Sequence, residues 1–221
     1  MNKGDTFHMR AVLRSSMTGA GLAVLLLGSV SCGDVARTGR SPSLLVIESL
    51  QGASGADPEV FSAFLLSDVQ TLVDQTIDGE EVQVPTIFND IGQAALRVEL
   101  KDRGLSGTGG TIAPLNQVTL SRYRIVYRRA DGRNTPGVDV PFGTDGAVTA
   151  TIGESPVTVS FEIVRHQAKL ELPLRSLVNL GGRLFISTFA DVTFFGSDLA
   201  GNEVQVTGTM SVSFSDYADP E

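Results

Sequence analysis

The feature that most constrains this chain is a strict two-residue alternation near its C-terminus. Val204, Val206, Gly208, Met210, Val212 and Phe214 alternate with Gln205, Thr207, Thr209, Ser211 and Ser213. Successive side chains point to opposite faces only in a strand, so this pattern specifies a strand with one apolar and one polar face. The same pattern recurs. Val157, Val159, Phe161 and Ile163 alternate with Thr158, Ser160 and Glu162, and Tyr123, Ile125 and Tyr127 with Arg122, Arg124 and Arg128. Leu184–Phe195 is apolar on both faces, as a central strand should be. Further strands are expected over Leu44–Leu50, Thr86–Phe88, Ala94–Leu100 and Ala147–Ile152, with turns at Asp78-Gly79, Asp131-Gly132, Asp145-Gly146 and Gly181-Gly182. Many short strands with scarcely any helical pattern argue for an all-β protein, an antiparallel β-sandwich of about seven to nine strands.

One segment reads two ways. Asp57-Pro58-Glu59 could cap a helix, with Val60, Phe61, Phe64, Leu65, Val69 and Leu72 at helical spacing, but Phe61–Leu66 also reads as a buried strand. A strand from Phe61 to Ser67 is the expectation. Leu172-Pro173 through Leu177 is expected to form a crossover loop or a single helical turn, because Pro has no place in a central strand.

The N-terminus is different in kind. Lys3, Arg10 and Arg14 precede the uncharged stretch Met17–Val30. That stretch falls short of the about 20 apolar residues a membrane-spanning helix takes, and fits the apolar region of an export signal. The single Cys of the chain, Cys32, sits at its end. Gly28-Ser29-Val30-Ser31-Cys32 resembles the lipobox of bacterial lipoproteins, with Ser29 where that family usually has an aliphatic residue. Ser29-Val30-Ser31 also suits an ordinary small-x-small cleavage site, which would release a soluble secreted protein. The resemblance implies that residues 1–31 are a signal-peptide helix removed on export and that Cys32 carries diacylglyceryl and palmitate chains holding the protein to a membrane. Gly33 at the following position implies outer-membrane sorting if the envelope is Gram-negative. Residues 32–42 then form the lipidated Cys and a polar tether, and 43–221 a single domain.

The hairpin Val192–Val206 resembles the last hairpin of bacterial immunoglobulin-like and fibronectin type III-like domains, where an Asp-x-x-Gly-Asn turn joins the final strands. Gly201 and Asn202 would hold its positive-φ positions. The resemblance implies an immunoglobulin-like sandwich of the disulfide-free kind, since one Cys allows no internal disulfide and there is no core Trp.

Charge and composition narrow the function. The formal charge of −8 argues against a nucleic-acid partner. Processing would remove more basic than acidic residues, leaving a body repelled by anionic headgroups. His166 is the one His left after processing, lies in a polar stretch, and has no nucleophile motif to serve. Gly104–Gly110 is Gly-rich, yet Thr111-Ile112-Ala113-Pro114 follows it instead of a helix, so it reads as a loop. Asp198, Asn202 and Glu203, with Asp216 and Asp219, could offer oxygens to Ca²⁺, but Asp and Asn are also ordinary turn formers. Arg122, Arg124 and Arg128, with Arg129 and Arg133, form the one basic cluster. It could meet an acidic glycan or an envelope protein, or simply pair with acidic residues on neighbouring strands. Tyr123 and Tyr127 are expected to be in the core, which leaves few aromatics for a sugar platform. The expectation is a non-enzymatic envelope module without a cofactor. The alternative is a secreted carbohydrate-active or ligand-binding sandwich using acidic loop residues.

Overall fold

The computed structural model describes residues 39–101 and 113–217. They form ten strands: β1 (Ser43–Ala53), β2 (Phe64–Asp68), β3 (Thr71–Ile77), β4 (Glu80–Thr86), β5 (Asp90–Leu100), β6 (Val118–Arg128), β7 (Thr144–Ile152), β8 (Val157–Val164), β9 (Ile186–Asp198) and β10 (Glu203–Ser215). A five-residue helix, α1 (His166–Leu170), and a 3-10 turn at Leu174–Leu177 fill the crossover from β8 to β9, so the expected single helical turn is present. The protein is all-β. The expected signal-peptide helix and Cys32 lie outside the described residues.

Strands β1, β5 and β8 make an antiparallel three-stranded sheet; β2, β10, β9, β6 and β7 make a five-stranded one. The two sheets share one hydrophobic core. Phe161 of the smaller sheet packs between Tyr123 and Phe194 of the larger, with ring centroids 5.3 and 5.4 Å apart. The alternation read from the sequence explains which faces meet. Val159, Phe161 and Ile163 are buried from one side, and Ile125, Val192, Val212 and Phe214 from the other. Tyr123 and Tyr127 both lie in the core as expected, their hydroxyls donating to the Glu162 and Ile163 carbonyl oxygens.

Several expectations need correction. The larger sheet is mixed, because β2 runs parallel to β10. Alternation reports which face of a strand is buried; it carries no information about the direction of the neighbour. The uncertain segment is a strand, shifted to Phe64–Asp68, with Leu65, Ser67 and Val69 inside and Phe64 and Leu66 outside. That is a period of two, which overrides the helical spacing. Only Thr86 of the expected Thr86–Phe88 strand is in a strand. It ends a hairpin, β3–β4, that turns at Asp78-Gly79 and pairs with neither larger sheet. The central strand begins at Ile186, and Leu184 and Phe185 are exposed ahead of it. Asp145-Gly146 is not a turn but lies within β7, opposite Arg124 and Tyr123.

The chain is tied to the body ahead of β1. Ser41 is buried, its hydroxyl accepts from the Ser43 amide at 3.1 Å, and the Lys101 amide donates to the Pro42 carbonyl at 2.9 Å. Ser43 in turn donates to the Asn116 carbonyl at 2.6 Å.

Candidate partner-binding face

The solvent side of the larger sheet carries the arginine cluster. Strand β6 reaches this arrangement through a bulge. Its register with both neighbours shifts between Leu120 and Arg122. Before the shift the even positions Val118 and Leu120 are buried; after it the odd positions Tyr123, Ile125 and Tyr127 are. The extra residue, Ser121, thus turns Arg122, Arg124 and Arg128 outward together. Gly196 of β9 sits opposite Leu120, where a Cβ would come 2.4 Å from the Thr119 carbonyl oxygen. Only glycine lets β9 approach the bulge this closely.

Each arginine is met by an acidic residue. Arg124 Nε lies 2.9 Å and Arg122 Nη1 3.3 Å from the same Asp145 oxygen on β7. Arg128 Nε donates to Asp191 on β9 at 2.6 Å, and its second nitrogen reaches the other oxygen at 3.3 Å. Beyond the end of β6, Arg129 and Arg133 both hold Asp131, at 2.8 and 3.0 Å. The Arg129 hydrogen bond, followed by those of Arg133, keeps the Asp131 carboxyl far below the usual carboxylate range. Desolvation pulls the Asp191 carboxyl upward, but the hydrogen bonds from Arg128 and Thr209 outweigh it and leave it below the ordinary value.

Asp145 and Asp131 each serve two guanidinium groups. Two of the guanidinium groups also lie over aromatic rings: Arg122 at 3.7 Å from the Phe195 centroid and Arg128 at 4.9 Å from that of Phe189. Stacking of this kind holds a guanidinium against an aromatic face. Beside Arg122, the residues Ser121, Phe195, Ser197, Glu203 and Gln205 line a shallow hollow of about 270 Å³. That is smaller than the about 300–1,000 Å³ of an ordinary small-molecule pocket.

The other sequence candidates fall elsewhere. At the β9–β10 turn, Asp198 Oδ1 accepts from the Ala200 and Asn202 amides at 3.0 and 2.9 Å, and Oδ2 from the Asn202 side chain at 2.9 Å. Both carboxylate oxygens are thereby used by the turn itself. Desolvation raises the Asp198 carboxyl, yet the hydrogen bonds from Asn202, Ser41 and Ala200 hold it below the ordinary range. Gly201 has the expected positive φ of 81°, whereas Asn202 does not share that conformation and contributes through its amide instead. Glu203 is exposed on the rim of the hollow, and Asp216 is buried at the opposite end of β10. Among the described residues no cluster of three His, Cys, Asp or Glu side chains could hold a metal ion. His166 is exposed at the start of α1, where the Asn89 side chain accepts from its amide at 2.8 Å. The Gly-rich segment Gly104–Gly110, like Asp219, lies outside the described residues.

Sequence reading missed one constellation. Ser67 on β2, Asp90 on β5 and Lys169 on α1 meet inside the protein, each at most 1% exposed. Lys169 Nζ lies 2.7 Å from Asp90 Oδ1 across a separation of 79 residues. Nothing in the local sequence marks either residue, because their burial is decided by how the β8–β9 crossover folds over the end of the sheets. Compared with known proteins, this chain matches no family model, no curated protein and no solved structure.

Proposed function

We propose that this protein is a non-enzymatic, lipid-anchored envelope module. In this reading Cys32 carries the acyl chains, a short tether follows, and an immunoglobulin-like sandwich offers its arginine face to an acidic partner, an envelope glycan or protein. The observation that carries the reading is the short stretch of chain between Cys32 and Ser41, the first buried residue among those described. A single Cys at the end of an apolar leader and shortly ahead of the first strand suits attachment by acyl chains. More than one acyl chain gives stable anchoring, at about 0.8 kcal/mol per buried CH₂.

The register supplies an orientation. Ser41 and Ser43 join the body at the end formed by Asn116 and Asp198, and Val118 pairs with Asp198 at that same end. Strand β6 runs from there to Arg128, so Arg128, Arg129, Asp131 and Arg133 stand at the end away from the anchor. This end of the arginine cluster would then face outward, where an acidic partner could reach it without approaching the membrane.

The test is labelling of cells with a palmitate analogue. The intact protein is expected to take the label and fractionate with membranes, and Cys32→Ser to lose both properties. An unlabelled, freely released protein would overturn the anchor and favour the secreted alternative.

A further inference from the structure

We propose that the β3–β4 hairpin docks on a second copy of this chain, with its acidic side chains along that copy's arginine face. The inference rests on the arginine face of the function proposed above and names its partner. It does not depend on the lipid anchor.

Charge is segregated along the sequence. Residues 41–96 hold nine acidic residues and no Lys, Arg or His, whereas the arginine cluster lies wholly within residues 122–133. The fold keeps the two groups apart. The hairpin follows β2 at one edge of the larger sheet, and β10 and β9 stand between β2 and β6. Four of the acidic residues, Asp74, Asp78, Glu80 and Glu81, belong to the hairpin and are exposed. Among the described residues none of these four side chains has a hydrogen-bond or ion-pair partner. Asp145 and Asp191 on the larger sheet, by contrast, are both held by arginines.

The two patches match in repeat and in length. Asp74 is paired with Gln83 and Thr76 with Glu81, so Asp74 and Glu81 share a face of the hairpin one strand period apart, with Asp78 and Glu80 at its tip. On β6, Arg122, Arg124 and Arg128 repeat with the same period of two residues, about 6.8 Å. Seven-residue hairpin strands reach about 23 Å, and the run from Arg122 to Arg128 covers about 20 Å. Each patch also has apolar side chains to bury. Ile77 and Val82 are 48% and 41% exposed on the hairpin, and Val126, between Arg124 and Arg128, is 49% exposed. Contact would therefore withdraw apolar area from water as well as bring opposite charges together.

The arginines can accept such a partner without giving up their present ones. A guanidinium has five N–H donors. Asp145 takes one from Arg122 and one from Arg124, and Asp191 takes two from Arg128. Donors remain on each for a second carboxylate. The net charge of −8 drives two copies apart. At physiological ionic strength, however, the screening length is about 8 Å, so distant like charges are largely screened while charges in contact are not.

The test is sedimentation of the purified full chain in a neutral detergent at about 0.1 M and about 1 M salt, where the screening length is about 10 Å and about 3 Å. The wild-type chain is expected to self-associate at the lower salt and to be monomeric at the higher. Asp74→Lys, Glu80→Lys and Glu81→Lys together should give a monomer at both. Arg122→Glu, Arg124→Glu and Arg128→Glu together should do the same, and mixing these two charge-reversed variants should restore a complex. A wild-type chain that is monomeric at the lower salt would overturn the proposal, as would a hairpin variant that associates like the wild type. If the arginine variant fails to fold, by circular dichroism, the hairpin variant decides, because its substitutions lie on exposed positions. Retention on an anionic polysaccharide matrix separates this proposal from the reading it rests on. A monomer that is retained removes only the docking of a second copy; a monomer that is not retained removes the arginine face as well.

Discussion

The ring of Tyr123 occupies the space that a side chain on Gly146 would need. The two residues are paired across β6 and β7, and a Cβ on Gly146 would come 2.3 Å from the Tyr123 ring carbon that bears the hydroxyl. The ring is pinned on its other side against Phe161. Gly146→Ala should therefore force an aromatic ring out of a packed position. Overpacking of this kind costs about 1–3 kcal/mol. A urea titration should show a lower midpoint with an unchanged slope.

Phe194 is fully buried at the centre of the core and meets Phe161 edge to face. Phe194→Ala removes this packing and leaves a cavity between the two sheets. The loss should be about 3–5 kcal/mol, a large part of a typical domain's stability. Calorimetry should report a much lower Tm, and a change below 1 °C would contradict the single shared core.

Asp198 closes the β9–β10 turn by accepting from two backbone amides and the Asn202 side chain. Asp198→Ala leaves those donors unanswered and should cost about 1–3 kcal/mol. The pH dependence has a definite sign. The folded-state carboxyl lies below its ordinary value, so its contribution is fully present above the unfolded pKa of about 3.9 and is lost as pH falls through the lower folded value. The stability gap between wild type and Asp198→Ala should be flat from neutral pH to about 5 and shrink below about 4. Urea midpoints across that range check it.

Arg128 and Asp191 make a two-nitrogen contact on the exposed sheet, with the guanidinium above Phe189. Its side chain is 46% exposed, and pairs of this kind contribute about 0–1 kcal/mol. Arg128→Ala should leave the Tm nearly unchanged. Replacing Arg122, Arg124 and Arg128 together by Gln should keep the fold, by circular dichroism, and abolish retention on an anionic polysaccharide matrix at low salt. Retention equal to that of the wild-type protein would remove the arginine face as a contact for acidic partners.

The β3–β4 hairpin pairs only with itself, and its outer residues are mostly exposed. An isolated two-stranded hairpin adds little stability. Replacing residues 71–86 by a short Gly-Ser linker should change stability by about 1 kcal/mol or less, since closure entropy varies slowly with loop length. Thermal unfolding with an intact transition is the expected readout.

Legibility followed the range of the interactions involved. Strands with a clean alternation were readable, because one buried face imposes a period of two on the residues themselves: β8 and β10 lie where that pattern puts them, and Tyr123 and Tyr127 are inside. The β3–β4 hairpin was missed for the complementary reason. A strand that buries no face needs no pattern, and only Asp78-Gly79 marked its turn. Asp145-Gly146 has turn composition, yet its glycine answers a demand from another strand, the Tyr123 ring. The arginine face was visible as a charge pattern of period two, whereas the Ser121 bulge, which switches the buried positions of β6 from Val118 and Leu120 to Tyr123, Ile125 and Tyr127, left no mark in the sequence.

What the sequence by itself determined is the all-β character, the apolar face of each patterned strand and the presence of one basic cluster in an acidic chain. These are local properties, set by side-chain period and charge. Tertiary structure alone decided that β2 runs parallel to β10, that Asp145 and Asp131 each answer two arginines, and that Lys169 meets Asp90 and Ser67 in the interior. Those relations join residues far apart in the chain, and they exist only once the two sheets have closed over a common core and excluded water from between them.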